Sequence, residues 1–162
     1  PLSIHTGFSF EINIYISNVL LSIFIKDTIY QQSSQLLEKY SSNEFIINGC
    51  IYLELGVNFK NFQKLDDALN ILEVNVIKQH EIDYNAISDA WTSYLSNKKF
   101  VCSSCKKVIH PICPKCKQPQ SFRQRILTDF LIGGFALKNS NGIITLDPAY
   151  YKNYFPELSI LD

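Results

Sequence analysis

The chain has 162 residues, 46% apolar and 19% charged. That is the size of one domain able to bury a substantial core, and it excludes an intrinsically disordered chain. With 15 basic and 15 acidic residues the formal net charge is +0, which excludes a uniformly basic nucleic-acid binder.

In chain order, Leu2–Phe10 is rich in Ile and Phe, and its end reads as a strand. Ile14–Ile29 shows helix-like recurrence at Ile16, Leu20 and Ile23 or Phe24. Its most apolar part, Ile14–Ile25, is interrupted by Ser17, Asn18 and Ser22 and is shorter than the ~18 residues a membrane span needs. Only His5 lies in front of it as a basic candidate, so this stretch shows no clear targeting segment, and the cytoplasm is the default compartment. Gln31–Tyr40 reads as a second helix, and Ser41-Ser42-Asn43 as a break. Glu44–Asn48 is a short buried strand, and Cys50–Phe59 a helix. The stripe Phe62, Leu65, Leu69 and Leu72 predicts another helix, followed by a strand at Val74–Ile77. Ile82–Leu95 is helical, with Ala86, Ile87, Ala90, Trp91 and Tyr94 on one spacing. Arg125–Leu137 is an apolar helix carrying Asp129. Gly142–Leu146 is a strand after an Asn-Ser-Asn-Gly turn, Pro148–Tyr154 a short helix or turn, and Leu158–Leu161 a last strand. Short apolar strands alternating with helices predict an α/β fold, with a parallel sheet buried between helix layers. No internal repeat is expected.

Four of the five cysteines form two C-x2-C pairs, Cys102/Cys105 and Cys113/Cys116. A tight turn at each pair can present two sulfurs to one ion, and two such turns complete a tetrahedron, so a structural Zn²⁺ is expected at these four thiolates. The competing reading is a pair of redox C-x-x-C motifs, and His110 between the pairs could replace one sulfur. Cys50, flanked by Ile46, Ile47 and Ile51, reads as a small buried hydrophobe. Charge is segregated around the cysteines. Lys98–Arg125 holds eight basic residues and no acidic one, leaving seven basic residues against 15 acidic elsewhere. A basic footing for phosphates and simple compensation of thiolate charge both fit.

Four acids stand at or beside element ends. Glu11 follows the first expected strand and Asp147 follows Ile143–Leu146; Glu54 and Asp129 lie within apolar helices. In an open α/β sheet, ligands bind beyond the carboxyl ends of the strands. A lone carboxylate in apolar surroundings is expensive unless paired or bound to a cation. Converging carboxylates would take a hard ion such as Mg²⁺ or Mn²⁺. Singly, each also reads as a helix cap, a solvated edge or a salt-bridge partner.

Several segments together resemble the PIN-domain family, which includes the VapC-type toxin ribonucleases. Arg123–Ala136 resembles the family's helix that carries the third acid, and Ile143–Tyr151 its strand that delivers the fourth. Tyr52-Leu53-Glu54-Leu55 resembles the second-acid helix, and Tyr154–Leu158 the closing segment. A cysteine knuckle before the third-acid helix resembles an archaeal subgroup. At the first acid, Phe10–Ser17 resembles the D-T-N signature with Glu11 for Asp, Ile12 for Thr and Asn13 kept. A second register, Ile14–Val19, keeps an Asn (Asn18) with no acid in place.

The resemblance implies a three-layer α/β/α fold with a short, mainly parallel sheet. It implies one PIN-like domain over 1–162 with a zinc-knuckle insertion at 100–120. It implies a divalent-metal-dependent endoribonuclease, either the toxin of a toxin–antitoxin pair or an RNA-processing nuclease. Glu11, Glu54, Asp129 and Asp147 would hold Mg²⁺ or Mn²⁺, with Asn13 and Thr145 in support. Lys106, Lys107, Arg123 and Arg125 would hold the RNA backbone. An antitoxin protein and a second copy of the chain are the further partners implied, and no membrane. The departures at Glu11 and Ile12 leave open an alternative, a PIN-fold module that binds RNA or protein without cleaving.

Overall fold

Short Ile- and Val-rich runs become the strands of one parallel sheet in the computed structural model, which describes residues 12–15, 17–59, 61–77, 82–97, 99–102, 104–119 and 125–161, with residues 12–15 and 17 described by their backbone. The strands are β1 (Ile12–Tyr15), β2 (Glu44–Asn48), β3 (Val74–Ile77), β4 (Gly142–Ile144) and β5 (Ile160–Leu161). They lie in the order β3-β2-β1-β4-β5, and every neighbouring pair is parallel. Phe45, Ile46, Ile47 and Asn48 of β2 are all buried, as are Gly142, Ile143 and Ile144 of β4. Unbroken burial is what strands covered on both faces require, and it explains why these runs show no alternation.

The helices are α1 (Ser17–Ile25), α2 (Tyr30–Lys39), α3 (Gly49–Phe59), α4 (Phe62–Ile71), α5 (Tyr84–Asn97), α6 (Leu127–Asn139) and α7 (Pro148–Tyr154). Among the described residues no helix is long and apolar enough to cross a membrane. The expected α/β class, the β2 and β3 strands and α7 match the structure residue for residue or nearly so. The helix expected from Ile14 does not. Ile14 and Tyr15 belong to β1, where Ile14 lies opposite Ile46 on one side and Ile143 on the other. A run of Ile satisfies helix and buried-strand patterns alike, and pairing on both sides decides for strand. The helix ends at Ile25 rather than Ile29, where Lys26 turns to φ 52 and Asp27 Oδ1 accepts from Ser22 Oγ at 2.6 Å and from Ile29 N–H at 3.0 Å. The strand expected to end at Phe10 lies outside the described residues.

From β1 the chain steps outward to β2 and β3, then returns past β1 to β4 and β5. The strand order therefore reverses between β1 and β4. In open α/β sheets this reversal leaves a crevice at the strands' carboxyl ends.

Close packing fixes α6 beside that crevice. A Cβ at Gly133 would stand 2.3 Å from the Phe155 ring, and one at Gly134 2.4 Å from the Ile87 side chain. The Gly133-Gly134 pair thus lets α6 approach α7's end and α5 at backbone distance. Phe130, fully buried, anchors the first turn of α6 among Trp91, Tyr94, Tyr150 and Tyr154, with ring centroids 5.0, 5.7, 5.5 and 5.5 Å away. At its other end α5 is tied to α6 by Asp83, which caps α5 through Ala86 N–H at 3.0 Å and pairs with Lys138 at 3.6 Å.

Candidate functional site

The crevice holds two of the four expected acids. Asp147 follows β4 and stands at the N-cap of α7, with Pro148 as the first helical residue. Its backbone N–H donates to Oγ1 of Thr145, 99% buried, at 2.9 Å, so the turn after β4 aims the acid. Asp129 lies in the first turn of α6, and its Oδ2 accepts from Ile126 N–H at 3.1 Å. An acid there also complements the helix dipole, so a capping role alone explains one of its two oxygens.

Asp129 and Asp147 line one cavity of about 160 Å³ together with Asn18, Arg125, Tyr150 and Tyr151. Burial pushes the Asp129 carboxyl above its ordinary range, and the nearby charge of Asp147 adds to this; the Ile126 N–H and Arg125 oppose it. Arg125 donates to Asp147 Oδ2 and lays its guanidinium 4.4 Å from the Tyr150 ring centroid. Burial works against the Arg125 charge, but its bond to Asp147 prevails and raises its pKa. Two polar atoms here, Asn18 Oδ1 and Tyr150 OH, are buried and find no hydrogen-bond partner among the described residues. A buried acceptor left alone is costly by about 1–3 kcal/mol, so Asn18 Oδ1 marks a place for a donor or a cation.

Glu54 lies nearby without lining the cavity. Asn48, at the carboxyl end of β2, starts its helix by accepting from Ile51 N–H at 3.1 Å. Tyr151 has its pKa raised chiefly by burial, then by Asp129, with smaller contributions from Asp147 and Glu54. One buried tyrosine thus senses three of the four acids. Glu54 also stands close enough to Cys50 to add to the rise that burial imposes on that thiol. Glu11 and Arg123 lie outside the described residues. Asn13 is a mid-strand residue of β1, paired with Phe45 and Gly142. Asn18, of the second of the two registers the sequence offered, brings its amide to the acidic cavity; the side chain of Asn13 lies outside what is described.

The cysteine insertion is a doubled turn. Val101 bridges Val108, and Ile112 bridges Pro119, both antiparallel. In the first turn Cys102 N–H donates to the Lys107 carbonyl and Lys106 N–H to the Cys102 carbonyl, each at 2.9 Å. In the second, Cys113 N–H and Lys117 N–H repeat both bonds to Gln118 and Cys113 at 2.9 Å. Lys106 and Lys117 both adopt φ 59. Every corresponding pair is 11 residues apart, so the insertion is an internal repeat, contrary to the sequence expectation. Backbone N–H groups of Cys105 and Ser104 hold the Cys102 thiol below its usual pKa, and those of Cys116 and Lys115 do the same for Cys113.

Among the described residues no three His, Cys, Asp or Glu side chains stand close enough together to hold a metal ion, neither in the acidic cavity nor across the two turns. Each turn brings together two sulfurs, Cys102 with Cys105 and Cys113 with Cys116, and the cavity offers two carboxylates and an amide oxygen. Lys106 and Lys107 are exposed on the first turn, and the cavity's cation is Arg125. Compared with known proteins, the chain matches no family model and no curated protein.

Proposed function

We propose that the chain is a divalent-cation-dependent ribonuclease of PIN-like, three-layer fold. The observation that carries this reading is the convergence of Asp129, Asp147 and the unpartnered Asn18 Oδ1 in one cavity at the strand-order reversal. These are hard oxygen donors. Mg²⁺ commonly takes one or two carboxylates and keeps the rest of its shell as water, so the set fits Mg²⁺ or Mn²⁺. Such an ion, when bound, supplies the acidity that turns a bound water into a nucleophile for a phosphodiester. The chain's own part is positioning. Thr145 and Pro148 fix Asp147, the α6 first turn fixes Asp129, and buried Tyr151 and Phe130 keep bulk water from behind the acids. Glu54 adds negative charge from α3. Arg125, resting on Asp147, brings a cation to where a phosphate would approach.

In the same reading the two cysteine turns share one structural Zn²⁺. The lowered thiols, the paired N–H groups and the 11-residue repeat all suit sulfur ligation. The reading is tested by incubating mixed single-stranded RNAs with Mn²⁺, Mg²⁺ or neither, beside Asp129→Asn. Metal-dependent cutting that the variant loses supports it; no cutting by folded, zinc-loaded protein sinks it. One observation favours a second reading, RNA binding without cleavage. Arg125 already neutralises Asp147 and so competes with a cation for that carboxylate.

A further inference from the structure

A larger cavity, about 470 Å³, adjoins the acidic one and shares Arg125, Asp147 and Tyr150 with it. Its aromatic wall is Tyr94 from α5 and Tyr150 and Tyr154 from α7. Tyr154 stands 6.1 Å from Tyr94 and 5.3 Å from Tyr150, centroid to centroid, and all three rest on buried Phe130. Tyr94 and Tyr150 are themselves buried, 6% and 5% exposed, so they back the wall, and the partly exposed Tyr154 ring is the tyrosine face that a base can reach. Arg125 extends this wall, since its guanidinium lies over Tyr150 and its backbone N–H donates to Tyr94 OH at 3.1 Å.

The rim is of different chemistry. Lys99 and Arg125 bring two cations, and Asn97 and Asn153 two carboxamides. Lys99, Asn97 and Asn153 are exposed. Asn97 is held to the wall of its helix by donating to the Ser93 carbonyl at 3.0 Å. The one acid on the rim, Asp147, is paired with Arg125, so the two charges offset each other and Lys99 supplies the rim's net positive charge.

Tyrosine and guanidinium surfaces take nucleobases by stacking, cations take phosphates, and carboxamides read base edges. A duplex hides its base faces, so this combination selects an unpaired nucleotide. We propose that the cavity receives one unpaired nucleotide of an RNA strand, with its phosphate toward Lys99 and Arg125 and its base edge toward Asn97 and Asn153. The proposal rests on the ribonuclease reading of the adjoining pocket and states where the nucleotide next to the cut phosphate goes.

The test is binding, measured without added divalent cation so that cleavage does not enter. The probes are hexauridylate and hexaadenylate against an abasic ribose–phosphate chain of equal length. Trp91, the only tryptophan, lies 5.4 Å from Tyr94 and serves as the fluorescent reporter. The base-bearing strands should bind about tenfold tighter than the abasic chain. Asn153→Ala should weaken the base-bearing strands several-fold and leave the abasic chain unchanged. Lys99→Gln should weaken all three alike. Equal affinity for abasic and base-bearing chains overturns the proposal, as does no binding of any, or an Asn153→Ala that changes nothing. If this pattern holds while metal-dependent cleavage fails, the ribonuclease reading falls alone. If cleavage holds while the pattern fails, the nucleotide site falls alone.

Discussion

The acidic cavity and the cysteine insertion are built on opposite plans. The cavity draws Asn18, Asp129 and Asp147 from α1, α6 and the end of β4, more than 100 residues apart along the chain at the widest. The insertion takes all four sulfurs from 15 consecutive residues and closes each turn with local bonds, Cys102 to Lys107 and Cys113 to Gln118. A site assembled by the sheet fails when the sheet shifts; a local turn fails only when its own residues are changed. The two should therefore be separable by mutation.

The largest effect expected is on the cavity. Asp129→Asn should lower metal-dependent RNA cleavage about a hundredfold or more, with zinc content unchanged by elemental analysis. Cutting that survives the variant would move the chemistry elsewhere. Next, Cys113→Ser should drop bound zinc from one ion per chain toward none, while the thermal transition followed by far-ultraviolet circular dichroism moves little. A collapse of the whole fold would show that the insertion supports the sheet. Gly134→Ala should destabilise the fold by roughly 1–3 kcal/mol in urea, because a methyl group there meets Ile87 in a packed contact. It should leave zinc in place.

The smallest effect is on pH dependence. The Asp129 carboxyl is raised in the folded chain, so the folded state holds its proton to higher pH than the unfolded state does. Its contribution to stability is present below the ordinary carboxylate pKa and is lost as pH rises through the folded value. Asp129→Asn removes this loss. Urea midpoints of wild type and variant should draw apart in the variant's favour as pH rises from 4 to 7, and added Mn²⁺ should close the gap for wild type alone. A constant difference across that range would argue against a raised Asp129 carboxyl.

What could be read from the residues follows the same division. The cysteine turns were legible because spacing alone defines them, although their 11-residue repeat was not. Only Cys102, Cys105 and Lys106 recur as Cys113, Cys116 and Lys117, and the bonds that make the turns alike run through the backbone. The α/β class was legible in the alternation of apolar runs, and Asp147 in its place after one of them. That β1 runs on through Ile14 and Tyr15 was not, because the pairing of Ile14 with both Ile46 and Ile143 is a property of three segments. Lys99 stood out only as one of eight basic residues and Tyr94 only on a helical spacing, and Tyr150 gave no signal of a site. Each is ordinary in its own helix or loop, and they meet only through the packing of α5 on α7.

Lys99 and Arg125 line the same cavity, so the chain leaves for the cysteine turns and returns at one place. The excursion is a closed loop in the thermodynamic sense. Closing it before its turns are ordered carries an entropic penalty that grows only with the logarithm of its length. Contacts between α5 and α6 can then form while the loop between them is still uncommitted. Metal capture would come as a late event on an already folded scaffold, and the two processes should appear as separate kinetic phases during refolding.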